Sequence, residues 1–356
     1  MMKHMLRRRL VGLLCAVLLS SLLSLPALAV EEAEDVEYLG RGFLQQLPNA
    51  NALLYAYDRI AAGVESCIEQ IDVYNGTDPV TKEEMRMVYE TYRRDHAEHF
   101  WLDNPYTFYS NSQTVTAIKV SYLGISSSLA EYRARFLAAA EEILQGLRTD
   151  MSDFEKELYL HDALARRVDY TEAANAHNAY GALVEGRAVC EGYAEALQFL
   201  LQCAGIDSFI VLGTSVNPAT QEEEGHAWNL VRVDGAYYHV DLTWNDQGER
   251  LFHAYFNCTD AVIGRDHRVN ETAYVLPACT STDAHYFNVY ADARVTKPYS
   301  VEQISNLLST SPRDAHVYLA EDAEDFYPWF QENILEIVNR MGIVGAFSYG
   351  YTALAN

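Results

Sequence analysis

From Cys190 onward the apolar positions Tyr193, Ala194, Leu197, Leu200, Leu201 and Ala204 recur at helical spacing, and Gly205 stands where a helix C-cap belongs. The pattern predicts an amphipathic helix whose first turn holds Cys190, entered from the loop-like Glu185-Gly186-Arg187. Further on the period changes. Leu230–Val233 and Ala236–Leu242 are β-rich runs joined by Asp234-Gly235, a strong short hairpin signal. A two-residue turn there pairs Val233 with Ala236, and counting outward sets Trp228 opposite Asp241. His226 then shares a face with Asp241 as a diagonal neighbour, roughly 7–8 Å away at the backbone.

The rest of the chain reads as follows. Residues 30–37 are acidic and look like a disordered lead-in. Up to about residue 150 the pattern is mainly helical: one helix over Asn51–Ile71, and a second from the capping box Thr81-Lys-Glu-Glu84 to about His96. A long helix follows Ser128-Leu-Ala-Glu131, with Leu129, Tyr132, Phe136, Ala140, Ile143, Leu144 and Leu147 on one face. Between them Thr114–Val120 reads as β. Ser152-Asp-Phe-Glu155 caps the next helix, which runs to about Val168 and carries His161, read as a surface residue. Asp169–Asn178 is a loop suited to one wall of a cleft, and Asn217–Gly225 is a polar, acidic loop leading to His226. The tail reads helix Val301–Leu308, strand His316–Ala320, helix Tyr327–Arg340 and strand Ile343–Thr352. The layout expected is therefore α+β, divided into 1–29, 30–150 (mainly helical), 151–285 (core) and 286–356 (a β-α-β extension).

The first 29 residues alter this picture. Lys3 and Arg7–Arg9 form a basic n-region, Leu10–Leu25 an apolar stretch and Ala27-Leu28-Ala29 a cleavage site, which together predict a signal peptide cut after Ala29 and an exported protein. No other stretch is long and apolar enough to cross a bilayer, so no membrane is expected after cleavage. That segment holds four basic residues and no acidic one, so the chain from Val30 carries 22 basic against 50 acidic residues, a net −28. Such a charge excludes nucleic acid and anionic membranes as partners and suits cationic or wall-associated ones. Cys67, Cys190, Cys203, Cys258 and Cys279 are scattered and odd in number, so no disulfide framework is implied, and a Cys258–Cys279 bridge stays open. No CxxC, HExxH or Asp-rich calcium loop appears, so neither metal nor cofactor is expected.

The chemistry gathers on three residues. At a helix N-terminus the unpaired N–H groups and the positive dipole end favour a thiolate and supply donors to an oxyanion, so Cys190 is placed as a nucleophile. His226 would take its proton, and Asp241 would fix the imidazole tautomer and support the imidazolium. His239, on the same face between Tyr237 and Asp241, is the alternative base, but it lacks the glycine-flanked entry of Gly225-His226.

The order Cys, His, Asp and the words Ala-Val-Cys190-Glu-Gly-Tyr, His226-Ala-Trp-Asn and Tyr-His-Val-Asp241-Leu-Thr-Trp resemble the transglutaminase-like superfamily, in its bacterial secreted branch. The resemblance runs from about Phe154, through Ala179-Tyr-Gly-Ala-Leu, to Tyr255-Phe-Asn and Asp266-His267, roughly a third of the chain. It implies a papain-like α+β core, with the cysteine helix packed on an antiparallel sheet that carries His226 and Asp241. It also implies a cysteine enzyme acting through a thioacyl intermediate on peptide or glutamine carbonyls, as protease, deamidase or cross-linker. A protein or peptide is the substrate that follows. The competing expectation is an idle fold kept as an extracellular binding module.

Overall fold

The computed structural model describes residues 38–111, 113–125, 128–216, 220–248, 251–270, 275–290, 294–295, 298–310, 318–319 and 325–342. The expected signal peptide and acidic lead-in, the start of the loop before His226, most of the expected strand His316–Ala320 and the last expected strand, Ile343–Thr352, lie outside them.

The fold is α+β. Its centre is helix α6, Cys190–Cys203, whose Gly192, Tyr193, Ala194, Ala196, Leu197, Gln198, Phe199, Leu200 and Leu201 are all buried. Gly205, at φ +81°, follows its end and allows the left-handed turn into the sheet. The sheet holds β6 (Ser208–Val216), β7 (Glu223–Val233), β8 (Ala236–Val240) and β9 (His267–Val269), all antiparallel, in the order β8-β7-β6-β9. Val233 pairs with Ala236 and the ladder continues to Asn229–Val240, so Trp228 and Asp241 come next on their strands. The turn places Asp234 and Gly235 at φ +49° and +82°, the geometry that an Asp-Gly pair supplies at little steric cost.

Ahead of this core stand α1 (Leu39–Gln45), α2 (Ala50–Glu65), β1 (Gln70–Asp72), α3 (Lys82–Asp95), β2 (Leu102–Ser110), β3 (Val115–Tyr122) and α4 (Leu129–Leu144). β1, β3 and β2 form a three-stranded antiparallel sheet. Just before α6, β4 (Asp169–Tyr170) pairs in parallel with β5 (Arg187–Ala188), and after the hairpin come the short helices α8 (Asp260–Ile263) and α9 (Tyr286–Val289). The second helix stops short of the expected Ile71. It ends at Glu65, Cys67 turns to φ +51°, and Ile71 joins the sheet opposite Ile118. Both expected capping boxes are complete, at Thr81/Glu84 on α3 and at Ser152/Glu155 on α5, Asp153–Ala165. Ser128 N-caps α4 without a side-chain bond. The N-terminal helices share the central core: Phe43 meets Phe209 edge-on at 5.3 Å, and the Gln198 amide donates to the Arg94 carbonyl at 2.6 Å.

The C-terminal residues form their own apolar cluster around Val295, Ile304 and Ile337. There β10 (Arg294–Val295) pairs in parallel with β11 (Tyr318–Leu319) across α10 (Val301–Thr310), and α11 (Phe326–Arg340) follows.

Candidate active site

Cys190 is the first residue of α6, so its N–H has no carbonyl one turn earlier within the helix to bond. The preceding loop is wound tightly over this turn. Val189 N–H donates to the Ala176 carbonyl at 3.0 Å, and a Cβ on Gly192 would come within 2.3 Å of that same oxygen. Glycine two residues after the cysteine is thus a packing requirement. Glu195, one turn further, receives the Ala179 N–H at 3.0 Å and ties the other end of the loop to the helix. Cys190 is a free, half-buried thiol packed with Ala194, Ile210, Ala227 and Leu212. Beside it stands Tyr170, 60% exposed; partial burial and the neighbouring Cys190, Glu224 and Glu172 raise its hydroxyl pKa. The Asp169–Asn178 segment therefore borders the thiol.

The hairpin brings His226 to Asp241. His226 Nε2 lies 2.7 Å from Asp241 Oδ2, and the Cys190 thiol is near enough to this imidazole to act on its charge. Burial opposes charging this imidazole, but the Asp241 carboxylate, the bond to it and Cys190 outweigh that and raise it to about 10. Asp241 is fully buried, and two further donors hold it. As N-cap of the short helix α7, Leu242–Asn245, it accepts the Trp244 N–H at Oδ1, 3.0 Å, and His267 Nε2 stands 2.9 Å from Oδ2. Burial alone would raise its pKa; the two imidazoles instead hold the carboxyl well below the usual range.

His239 shares the sheet face but not the site. Trp228 Nε1–H donates to its Nδ1 at 3.0 Å, its Nε2 faces Asp260 at 3.0 Å, and burial lowers its pKa. Cys279 completes a second Cys, His and Asp group here, with its N–H on Asp260 Oδ2 at 2.9 Å. Cys258 and Cys279 are both free, buried thiols.

Two side chains near Asp241 escaped the pattern reading. His267 is 26 residues along the chain from Asp241, and only the end of the resembling stretch touched it. His161 is a correction: the sequence placed it at the surface, yet it is completely buried. Its Nε2 accepts from Asn245 Nδ2 at 3.0 Å, and its Nδ1 faces Asp162 at 2.9 Å, which also binds His253 at 2.8 Å. Burial lowers the His161 pKa and keeps the ring neutral. Asn245 N–H in turn bonds the Asp241 carbonyl at 3.1 Å. The sequence could not show that Asn245, His253 and Phe256 pack against this side of α5.

His161–Asp162–His253 and, nearer the hairpin, His226–Asp241–His267 and His239–Asp260–Cys279 have the donor types of a metal site; the last two lie at the sheet that carries the candidate residues. Protons account for these last two better than an ion does. The first of the two has nitrogen–oxygen distances of 2.7 and 2.9 Å, whereas two ligands of one tetrahedral zinc stand more than about 3 Å apart. In the second the Trp228 N–H occupies Nδ1, so Nε2 of a neutral His239 keeps its proton and has no lone pair to offer.

Residues 138–242 match the model of the transglutaminase-like superfamily, a span that contains Cys190, His226 and Asp241 and stops short of His267. No curated protein matches the chain. Among solved structures it is similar to a putative cysteine protease from Cytophaga hutchinsonii at 13% identity, covering 40% of this chain and 62% of that one, TM-score 0.25. It is also similar to a putative protease from Parabacteroides distasonis at 15% identity, over 38% and 33% of the two chains, TM-score 0.23. A third likeness is to a TGase at 12% identity, covering 78% and 69%, TM-score 0.29. The chain thus spans less than two thirds of the first two, and at these TM-scores none of the three carries an argument.

Proposed function

We propose, on the premise that residues 138–242 form a transglutaminase-like domain, that the protein is a cysteine acyl-transfer enzyme with Cys190 as nucleophile. His226 is its base and later its acid, and Asp241 the partner that orients His226. The observation that carries this is a half-buried thiol at a helix start beside an imidazole that lies 2.7 Å from a buried carboxylate. In the reaction the sulfur attacks an amide carbonyl, the oxyanion forms against the Cys190 N–H, and His226 delivers the proton to the departing amine. Water or an amine then resolves the thioacyl enzyme. Hydrolysis is the favoured outcome, because the half-buried Cys190 opens beside an exposed Tyr170, where water has access. Export through the segment ending at Ala29 and action on a protein or peptide, wall-bound ones included, complete the reading.

The test is direct. Iodoacetamide should label Cys190 before Cys67, Cys203, Cys258 or Cys279, and a glutamine-containing peptide should release ammonia or be cleaved. Selective labelling with no turnover across varied peptides would instead favour a binding module, and unselective labelling would remove Cys190 as nucleophile.

A further inference from the structure

Asp241 Oδ2 faces two imidazoles, which a Cys, His and Asp triad alone does not explain. His267 is 2% exposed and lies between two carboxylates, with Nε2 at 2.9 Å from Asp241 Oδ2 and Nδ1 at 2.6 Å from Asp266 Oδ1. An ionised carboxylate only accepts, and a neutral imidazole has a single N–H. Asp241 is ionised, and the second oxygen of Asp266 accepts the Tyr255 hydroxyl at 2.6 Å. With Asp266 a carboxylate as well, both bonds of His267 are made together by the imidazolium.

We propose that His267 is a positioning residue: a standing imidazolium between Asp266 and Asp241 that locks the Asp241 carboxylate and limits how tightly it holds the proton on His226. This rests on the reading of His226 and Asp241 as base and orienter. The rings of His226 and His267 are 5.2 Å apart, so two cations share one carboxylate oxygen. Cys190 and Asp241 face His226. Asp241, Asp266, His226, Tyr255 and, from β8, His239 face His267. Burial disfavours the charged form of His267, but the bonds to Asp241 and Asp266 prevail and its pKa is raised. The functional consequence concerns the second half of acyl transfer. A His226 held by an undivided Asp241 would take the thiol proton readily but surrender it slowly to the leaving amine. Sharing Asp241 with a second cation moderates that hold.

The experiment is a long-range proton–nitrogen NMR titration of the full-length protein labelled on histidine, with His226→Gln and His267→Gln supplying the assignments. Gln keeps an amide donor where Nε2 stood but brings no charge. We expect both His267 nitrogens to be protonated at pH 7, above the ~6.5 midpoint of a free imidazole. In His267→Gln the His226 midpoint should rise by about one pH unit. One protonated nitrogen on His267 at pH 6 overturns the proposal, as does an unchanged or lowered His226 midpoint in a variant with native Tm. If His267→Gln fails to fold, the wild-type nitrogen spectrum decides alone. Alkylation of Cys190 is read in parallel: an unreactive thiol beside a doubly protonated His267 defeats the nucleophile reading while the charge arrangement stands.

Discussion

The hairpin β7–β8 carries two groups of the same composition. Cys190, His226 and Asp241 stand at its open end; Cys279, His239 and Asp260 stand further along, and Trp228 sits between the two histidines at 6.0 and 6.3 Å. Their environments differ in every respect that matters for reactivity. The first cysteine begins a 14-residue helix and is half-buried, whereas Cys279 is a buried coil residue whose thiol is pushed up by burial and by Asp260. The first carboxylate is buried and held by three donors; Asp260 is about half exposed, 52%, in water that screens it. One imidazole is therefore raised to about 10, and burial lowers the other. Residue types do not make a site; the dielectric and the remaining hydrogen bonds around the carboxylate do.

The comparison breaks most sharply at the two aspartates. Asp241→Asn should reduce kcat/KM for a responsive peptide by about 10²–10⁴-fold, since the amide neither fixes the tautomer nor supports the imidazolium. Asp260→Asn should stay within a few-fold. Equal losses would mean that the second group also serves the reaction.

Stability against pH separates the histidines next, with opposite signs. The folded pKa of His226 is raised from an unfolded ~6.5 to about 10, so its contribution is complete below pH ~6.5 and is lost as pH rises to about 10. His239 is lowered, so its contribution is present above ~6.5 and is lost as pH falls through the lower folded value. Urea melts of His226→Gln should therefore lose less stability than wild type between pH 6.5 and 10, with a slope difference up to about 1.4 kcal/mol per pH unit. Melts of His239→Gln should differ from wild type only on the acid side. Parallel curves in the alkaline window would show that His226 does not gain its proton on folding.

The smallest effect tests the divider. Trp228→Phe keeps most of the ring but leaves His239 Nδ1 without its donor, at a cost of about 1–3 kcal/mol in Tm-derived stability. Cys190 alkylation should be unchanged within two-fold, because the Trp228 N–H serves His239 alone. A large fall would show that the two groups are coupled through the indole.

Much of this was legible in the residues. The 3.6-residue spacing after Cys190, the Asp-Gly turn and the two capping boxes are local signals, each satisfied within one element or one hairpin, and such signals survive without tertiary context. They were enough to bring His226 beside Asp241, because hairpin register follows from the turn. The position of α2's end was not, since Ile71 is equally apolar in a helix or a strand and β3 decided the matter. Nor were the partners of Asp241 beyond His226. His267 arrives on the opposite edge of the sheet, and His161 reaches Asn245 from a helix 84 residues away, contacts that no local period encodes. The sequence by itself determined the cysteine helix, the hairpin and the pairing of one histidine with one aspartate. Tertiary structure alone decided that Asp241 is buried between two imidazoles while Asp260 is left half in water, because burial and the charges that share a carboxylate come from chain segments that meet only when folded.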